Sequence, residues 1–285
     1  MGDYVVFFDV AWHGANAAYF FFIGIAAMLY FVSALSWYRE EFRPLRRSAF
    51  YASFVALGAA GLILVGDLSQ PMRFMNTLNP GYWNMASPLV WGTILISLFG
   101  LTSVWYFTTL GRTDKSGRLP AVVGSLLGLG LAIYSGFDLA VHQHRPVWNT
   151  PLMPVLFVAL SLVSGAAVAA FLARGEAKLV GVLRQIMLWG TTAIAVMLLS
   201  LLVTTAYGGS ADELTYAFMT AGNMAMIFVG LGIVVGTLAP IALLLAPFGR
   251  QPTGLMAAAL LLLVGGISLR YSILIGPQMV QTFFS

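Results

Sequence analysis

The stretch YSGFDLAVHQHRPVWNTPLMP, Tyr134–Pro154, straddles the junction of two long apolar runs, residues 119–138 and 152–173. A helix of about 20 residues rises about 30 Å, the thickness of a bilayer's hydrocarbon core. Inside lipid every backbone N–H and C=O must pair within the chain, so such a run is a helix or a strand of a closed barrel. Neither run alternates apolar and polar residues as a barrel strand does. The stretch therefore reads as the link between two transmembrane helices. It also carries Asp138, Arg145 and two of the protein's three histidines, His142 and His144, so chemistry is first sought here.

The rest of the sequence agrees. Of its 285 residues 60% are hydrophobic and 8% charged, with a mean hydropathy of +0.89. A soluble domain carries about 25% charged residues. The composition thus predicts an all-α integral membrane protein. Cysteine is absent, which excludes disulfides, thiolate zinc sites and cysteine-ligated iron–sulfur clusters in this chain. The opening Met-Gly-Asp-Tyr has no basic region, and no signal peptide is expected.

Eight spans are predicted, at roughly 15–37, 48–66, 88–110, 119–138, 152–173, 184–206, 222–246 and 253–274. The connections are short, so residues 1–285 form a single membrane domain. A division near Pro146 would give two four-helix bundles, 1–146 and 147–285. Eleven of the fourteen basic residues follow odd-numbered spans: Arg39, Arg43, Arg46, Arg47, Arg112, Lys115, Arg118, Arg174, Lys178, Arg184 and Arg250. The positive-inside rule makes those loops cytoplasmic and puts both termini on the outer, periplasmic side. The net charge of +4 is thus a matter of topology and predicts no nucleic-acid partner.

Three basic residues oppose the bias: Arg73, Arg145 and Arg270. Asp67, Asp138 and Arg270 each lie 20 residues beyond a cytoplasmic arginine, about one hydrocarbon thickness away, which predicts all three near the outer boundary. With His13, Asn16, Tyr134, His142, His144 and Arg145 they form a polar layer drawn from at least four spans or their links. The middle and inner half of the membrane are expected to hold no ionisable group, and hence no full proton channel.

Wetted interfacial residues and structural ion pairs account for any one member of this layer. The convergence of the set points to a shared site. His13 and Asn16 are three apart and share a helix face, and Tyr134 and Asp138 are four apart and share another. Such groups suit a quinone, whose carbonyl oxygens need donors and whose two protons need an acid or base. His142 and His144 point about 200° apart in a helix and make a poor ligand pair. No haem or metal is expected in this chain. A retinal Schiff base is excluded because Lys115 and Lys178, the only lysines, lie in predicted cytoplasmic loops. A secondary transporter or channel is the alternative reading. It calls for ionisable groups or broken helices near the midplane.

Several segments resemble a known family. Gly66-Asp67-Leu68-Ser69-Gln70-Pro71-Met72-Arg73-Phe74 resembles the Asp-Leu-Gly-Arg-Pro-x-Arg-Phe segment of the polysulfide reductase membrane subunits, the NrfD-like proteins. Ser87-Pro88-Leu89-Val90-Trp91-Gly92 is similar to that family's Ser-Pro-x-x-Trp-Gly. Tyr134-Ser135-Gly136, Arg145-Pro146-Val147-Trp148-Asn149 and Pro151-Leu152-Met153-Pro154 resemble its next block, and Tyr19-Phe20-Phe21 with Gly24 its first helix. The likeness covers about residues 12–170. Ser69 and Gln70 depart from the family's Gly-Arg, so Arg73 or Arg145 is expected to pair with Asp67 instead.

The resemblance implies a quinone-binding membrane anchor that takes menaquinone or ubiquinone. It implies partners too: an iron–sulfur subunit, ferredoxin-like and multi-cluster, and a molybdopterin catalytic subunit. The lipid is the bacterial or archaeal cytoplasmic membrane. His13, Asn16 and Tyr134 are then the quinone-binding candidates, with Arg73 and Arg145 in support, and Asp67, Asp138 and His142 the candidates for proton exchange.

Overall fold

The computed structural model describes residues 12–68, 76, 79–112, 114–143, 145, 147–173 and 176–280. Arg73 and His144, both members of the predicted polar layer, lie outside these residues. All regular structure among the described residues is helical. Eight helices among them are long and apolar enough to cross a membrane: α1 (Gly14–Leu35), α2 (Arg46–Gly66), α3 (Pro88–Phe107), α4 (Arg118–Ala140), α5 (Leu152–Leu172), α6 (Ala177–Ala206), α8 (Gly222–Leu245) and α9 (Pro252–Ile275). A short helix, α7 (Ser210–Thr220), precedes α8. The protein is an all-α integral membrane protein. Val55, Leu62, Leu101, Leu126, Val196 and Leu199 stand mostly exposed on its flanks, the pattern of a lipid-facing surface.

Burial ranks the helices. Most of α1, α5 and α9 is enclosed, whereas α2, α3, α6 and α8 turn much of their surface outward. α1 packs on α2, α4, α5 and α9, and α5 packs on α1, α4, α6 and α9. α3 packs chiefly on α4, and α1 and α4 meet α5, with α1 also meeting α9, along one broad seam. Lipid provides no hydrophobic drive between helices, so close backbone approach must hold this seam. Glycines provide it. A Cβ on Gly165 of α5 would overlap the Met28 side chain of α1, and one on Gly136 of α4 would strike the backbone of Met153 and Pro154 in α5. Gly236 of α8 and Gly265 of α9 bring their backbones into direct contact.

Polar side chains lock the basic end. Tyr30 donates to the Pro120 carbonyl at 2.7 Å, Ser53 to the Ala26 carbonyl at 2.6 Å, and Trp37 Nε1 to the Tyr106 hydroxyl at 3.0 Å. The rings of Tyr30, Phe50, Phe99 and Tyr106 pack together there and join α1, α2 and α3. α2 and α3 meet through Phe50 and Tyr51 against Tyr106 and Phe107, at that end. Their packing is otherwise sparse, and added side chains at Gly58, Gly61 and Gly66 on α2 would meet nothing.

Three expectations change. α6 starts at Ala177, two turns before the predicted span, so Arg184 lies inside a helix rather than in a loop. A helix does not stop where hydropathy falls, and Arg184 Nε donates at 2.8 Å to the Leu244 carbonyl, one of the orphan acceptors at the end of α8. α8 is π-helical from Met226 to Leu238, ahead of Pro240, and Thr237 donates to the carbonyl five residues back, Gly232, at 2.9 Å. Gly222, with φ 58°, turns the chain from α7 into it, a conformation glycine adopts without strain.

The third change concerns Arg270, predicted at the membrane boundary and found deeper. Helix side chains slant toward the N-terminus, and here that direction leads inward from the boundary. The fully buried guanidinium reaches back to the Gly266 carbonyl at 3.1 Å and to Ser161 and Ser164, midway along α5, at 3.3 and 3.4 Å. Phe21 and Phe157 flank it at 5.5 and 5.9 Å. A cation, not a carboxylate, thus occupies the middle of the bundle, where no ionisable group was expected.

Replacing Gly265 by Leu puts a side chain into the Gly236 backbone. The expected cost is at the upper end of the roughly 1–3 kcal/mol of an overpacked core, or beyond it. Gly58→Ala, facing open space, is expected to leave stability nearly unchanged. Thermal unfolding of the two variants in detergent checks the contrast.

Candidate functional site

Apart from Arg270, the described members of the predicted polar layer gather at the end of the bundle opposite the arginine-rich one, in three groups. The first joins α1 to α2. His13 is the N-cap of α1, Asn16 lies in its first turn, and Asp67 is the C-cap of α2. Asn16 Nδ2 donates to Asp67 Oδ2 at 2.7 Å, and His13 Nδ1 lies 3.9 Å from Asp67 Oδ1. The His13 side chain is 56% exposed and that of Asp67 22%, so this group connects with water. A carboxylate at a helix C-terminus opposes the helix dipole. The Asn16 amide and the His13 ring offset that cost. Arg145 forms no ion pair with Asp67, and Arg73, the other expected partner, lies outside the described residues.

The second group is buried. Tyr134 and Asp138 stand one turn apart on α4, and Tyr19 faces them from α1; none is more than 6% exposed. The Asp138 carboxyl lies within electrostatic reach of Tyr19, Tyr134 and His142. Tyr19 is one turn below Asn16 on α1, so it links the two groups. The Tyr134 ring lies on Gly92 of α3, where any Cβ would overlap it. Sequence reasoning did not name Tyr19 and Gly92 as site residues. The signals were present: Tyr19 is three residues from Asn16, and Gly92 closes the Ser-Pro-x-x-Trp-Gly segment.

The third group is the connection between α4 and α5. Its side chains bind the two ends of the protein together. Arg145 Nη1 donates to the carbonyls of Pro277 and Val280, both at 2.7 Å. Burial lowers the Arg145 pKa from the ordinary guanidinium value, and the two carbonyls compensate its lost hydration. Trp148 Nε1 donates to the Ile273 carbonyl at 2.7 Å, and Asn149 Nδ2 to the Ala140 carbonyl at 2.7 Å. Trp12 stacks on Trp148 with ring centroids 6.0 Å apart, and His142 packs edge-on against both. Gln278 exchanges hydrogen bonds with the Trp12 backbone, N–H to Oε1 at 3.1 Å and Nε2 to O at 3.0 Å. His142 therefore stands at the edge of the buried acid group, within a structural clasp. Arg145 belongs to the clasp and is not drawn together with His13, Asn16 or Tyr134.

Fold and site together define a polytopic membrane protein with a hydrogen-bonding, acid-bearing cluster at one end of its first four helices. The protein belongs to the NrfD family, described as polysulphide reductase, NrfD, whose model matches residues 6–282. The match runs well past the segments that carried the resemblance, into the last four spans. The C subunit of polysulfide reductase from Wolinella succinogenes is 28% identical over 309 aligned residues, covering 94% of this sequence and 95% of that protein. Protein NrfD of Escherichia coli is 26% identical, with 96% of each sequence covered. The Hdr-like menaquinol oxidoreductase integral membrane subunit of Archaeoglobus fulgidus is 24% identical, over 55% of this sequence and 40% of its own length. The family is described by a reductase, and the polysulfide reductase and menaquinol oxidoreductase relatives are themselves named as subunits.

Removing the Arg145 side chain leaves two carbonyls without a donor. Arg145→Ala is expected to cost about 1.5–3 kcal/mol, the range for hydrogen bonds to charged groups, and to loosen the C-terminal turn. Amide hydrogen exchange at residues 274–280 reads the loosening directly.

Proposed function

We propose that this protein binds quinone and exchanges electrons with an iron–sulfur partner subunit. The observation that carries the reading is the joint position of the polar groups. Asn16, Asp67, Tyr19, Tyr134 and Asp138 come from α1, α2 and α4, beside the sparse α2–α3 seam. That seam gives an isoprenoid tail a way in from lipid, and the polar end gives the head group donors and acids. The name of the Archaeoglobus relative, a menaquinol oxidoreductase subunit, supports the same class of ligand.

The residues fit such a head group. Bound quinone supplies two-electron, two-proton chemistry at its carbonyl oxygens. Tyr134 serves as a donor held firmly by its packing on Gly92. Asn16 keeps the Asp67 carboxylate oriented, with Oδ1 facing His13. Asp67 exchanges the proton, and His13, half in water, relays it to solvent. Asp138, closed in by Tyr19 and Tyr134 and neighboured by His142, is the second acid. Menaquinone and ubiquinone share this chemistry.

In this reading the site end faces outward from a bacterial or archaeal cytoplasmic membrane, as the basic loops argue. A ferredoxin-like, multi-cluster subunit docks on it and a molybdopterin subunit completes the complex. The protein itself carries no metal.

His13→Leu and Tyr134→Phe, made in the assembled complex, test the assignment. Quinone-linked turnover is expected to fall about tenfold or more in each, the loss of a contact made at the reacting group, while dye-linked turnover by the partner persists. Full quinone-linked turnover in both variants would falsify the reading.

A further inference from the structure

The opposite end of the bundle holds a second polar feature that the quinone reading does not use. The end of α1, the turn after it, the α3–α4 connection and the start of α4 line an open hollow of about 320 Å³. Arg39, Arg43, Arg46, Arg112, Lys115 and Arg118 line it, against the acids Glu40 and Asp114. The positive-inside rule accounts for basic residues at this end, but not for their convergence on one hollow.

The six are not equivalent. Arg39 is paired with Glu41 at 3.1 Å. Arg46 donates to Ser36 Oγ at 2.7 Å and lies 3.9 Å over the Trp37 ring, and Arg118 stands 5.5 Å over Tyr38. Arg43, Arg112 and Lys115 make no side-chain hydrogen bond or ion pair to any described residue. Of the two acids, Asp114 accepts from Ser116 at 2.6 Å and neither is ion-paired among the described residues. Three such cations facing one concavity repel each other, and an anion bound between them relieves that repulsion.

The surroundings choose the anion. Trp37 and Tyr38 are of the amphipathic aromatic type that settles at the head-group level of a bilayer. From the rim at Arg118, the exposed residues Leu119, Val122, Leu126 and Leu129 form an apolar stripe along one face of α4. A phosphate in the hollow with acyl chains along that stripe satisfies both halves of the surface.

The geometry points to a binding site for the phosphate of an anionic phospholipid, in the leaflet at the basic end. Basic pockets between membrane helices on that side are suited to such head groups. The lipid bridges α1, α3 and α4 and so braces the helices that also carry Asn16 and Tyr134.

The test uses the purified complex, delipidated in a zwitterionic detergent, with thermal unfolding of this subunit and native mass spectrometry as readouts. Phosphatidylglycerol is expected to raise the midpoint by about 5 °C or more and to remain bound in the spectrometer, whereas phosphatidylcholine does neither. Arg43, Arg112 and Lys115 are exposed, so Arg43→Gln/Arg112→Gln/Lys115→Gln is expected to fold and to lose the shift. Arg250→Gln, at the same end but outside the cavity, is expected to keep it. An equal shift in the triple variant, or its loss in Arg250→Gln, overturns the site in favour of general surface attraction. An equal shift with millimolar inorganic phosphate overturns the lipid as the occupant.

Discussion

Close approach of helix backbones at α1, α5 and α9 is the constraint on which everything else rests. Apolar side chains gain nothing by leaving lipid for other apolar side chains. What remains is packing, and packing is best where no side chain intervenes. Gly165 against Met28, Gly136 against Met153 and Pro154, and Gly236 against Gly265 set the helix separations. The result encloses α1 on most sides and leaves α2 and α3 as outer walls.

That arrangement also decides where polarity is tolerated. Arg270 can lie fully buried because α5 presents Ser161 and Ser164 to it, and because Gly24 leaves the room a side chain would fill. A charge in the membrane middle is otherwise costly. At the far end Asp67 and Asp138 occupy the last turns of α2 and α4 or the cap beyond, against the helix dipoles, with Asn16 and His13 beside the first and Tyr134 beside the second. The two ends are thus chemically distinct: acids and histidine at one, converging cations at the other. Relatives in this family are named as reductase subunits, and in the proposed reading the acid-bearing end is the one with the groups that quinone chemistry requires.

Much of the candidate site was legible from spacing alone. His13 with Asn16, and Tyr134 with Asp138, share helix faces by their three- and four-residue separations, and the structure keeps both pairs. Spacing could not show which faces meet. Asp67 pairs with Asn16 across 51 positions of sequence, and Arg145 turns to the carbonyls of Pro277 and Val280 rather than to Asp67. Polar, aromatic connections at a membrane surface read alike whether they bind a ligand or clasp the protein's ends. The α4–α5 connection, the most tempting stretch in the sequence, is largely a clasp for residues 12 and 273–280.

By itself the sequence determined the class of protein, the number of membrane helices and the asymmetry of charge between its ends. Those follow from run length, hydropathy and the location of lysine and arginine, all of them properties of single segments. Only the tertiary structure decided the depth of Arg270, the π-helical course of α8, the sparse seam between α2 and α3, and the partners of Asp67 and Arg145. Each of these depends on which surfaces touch, and in lipid that choice is made by the fit of small residues between helices far apart in the sequence.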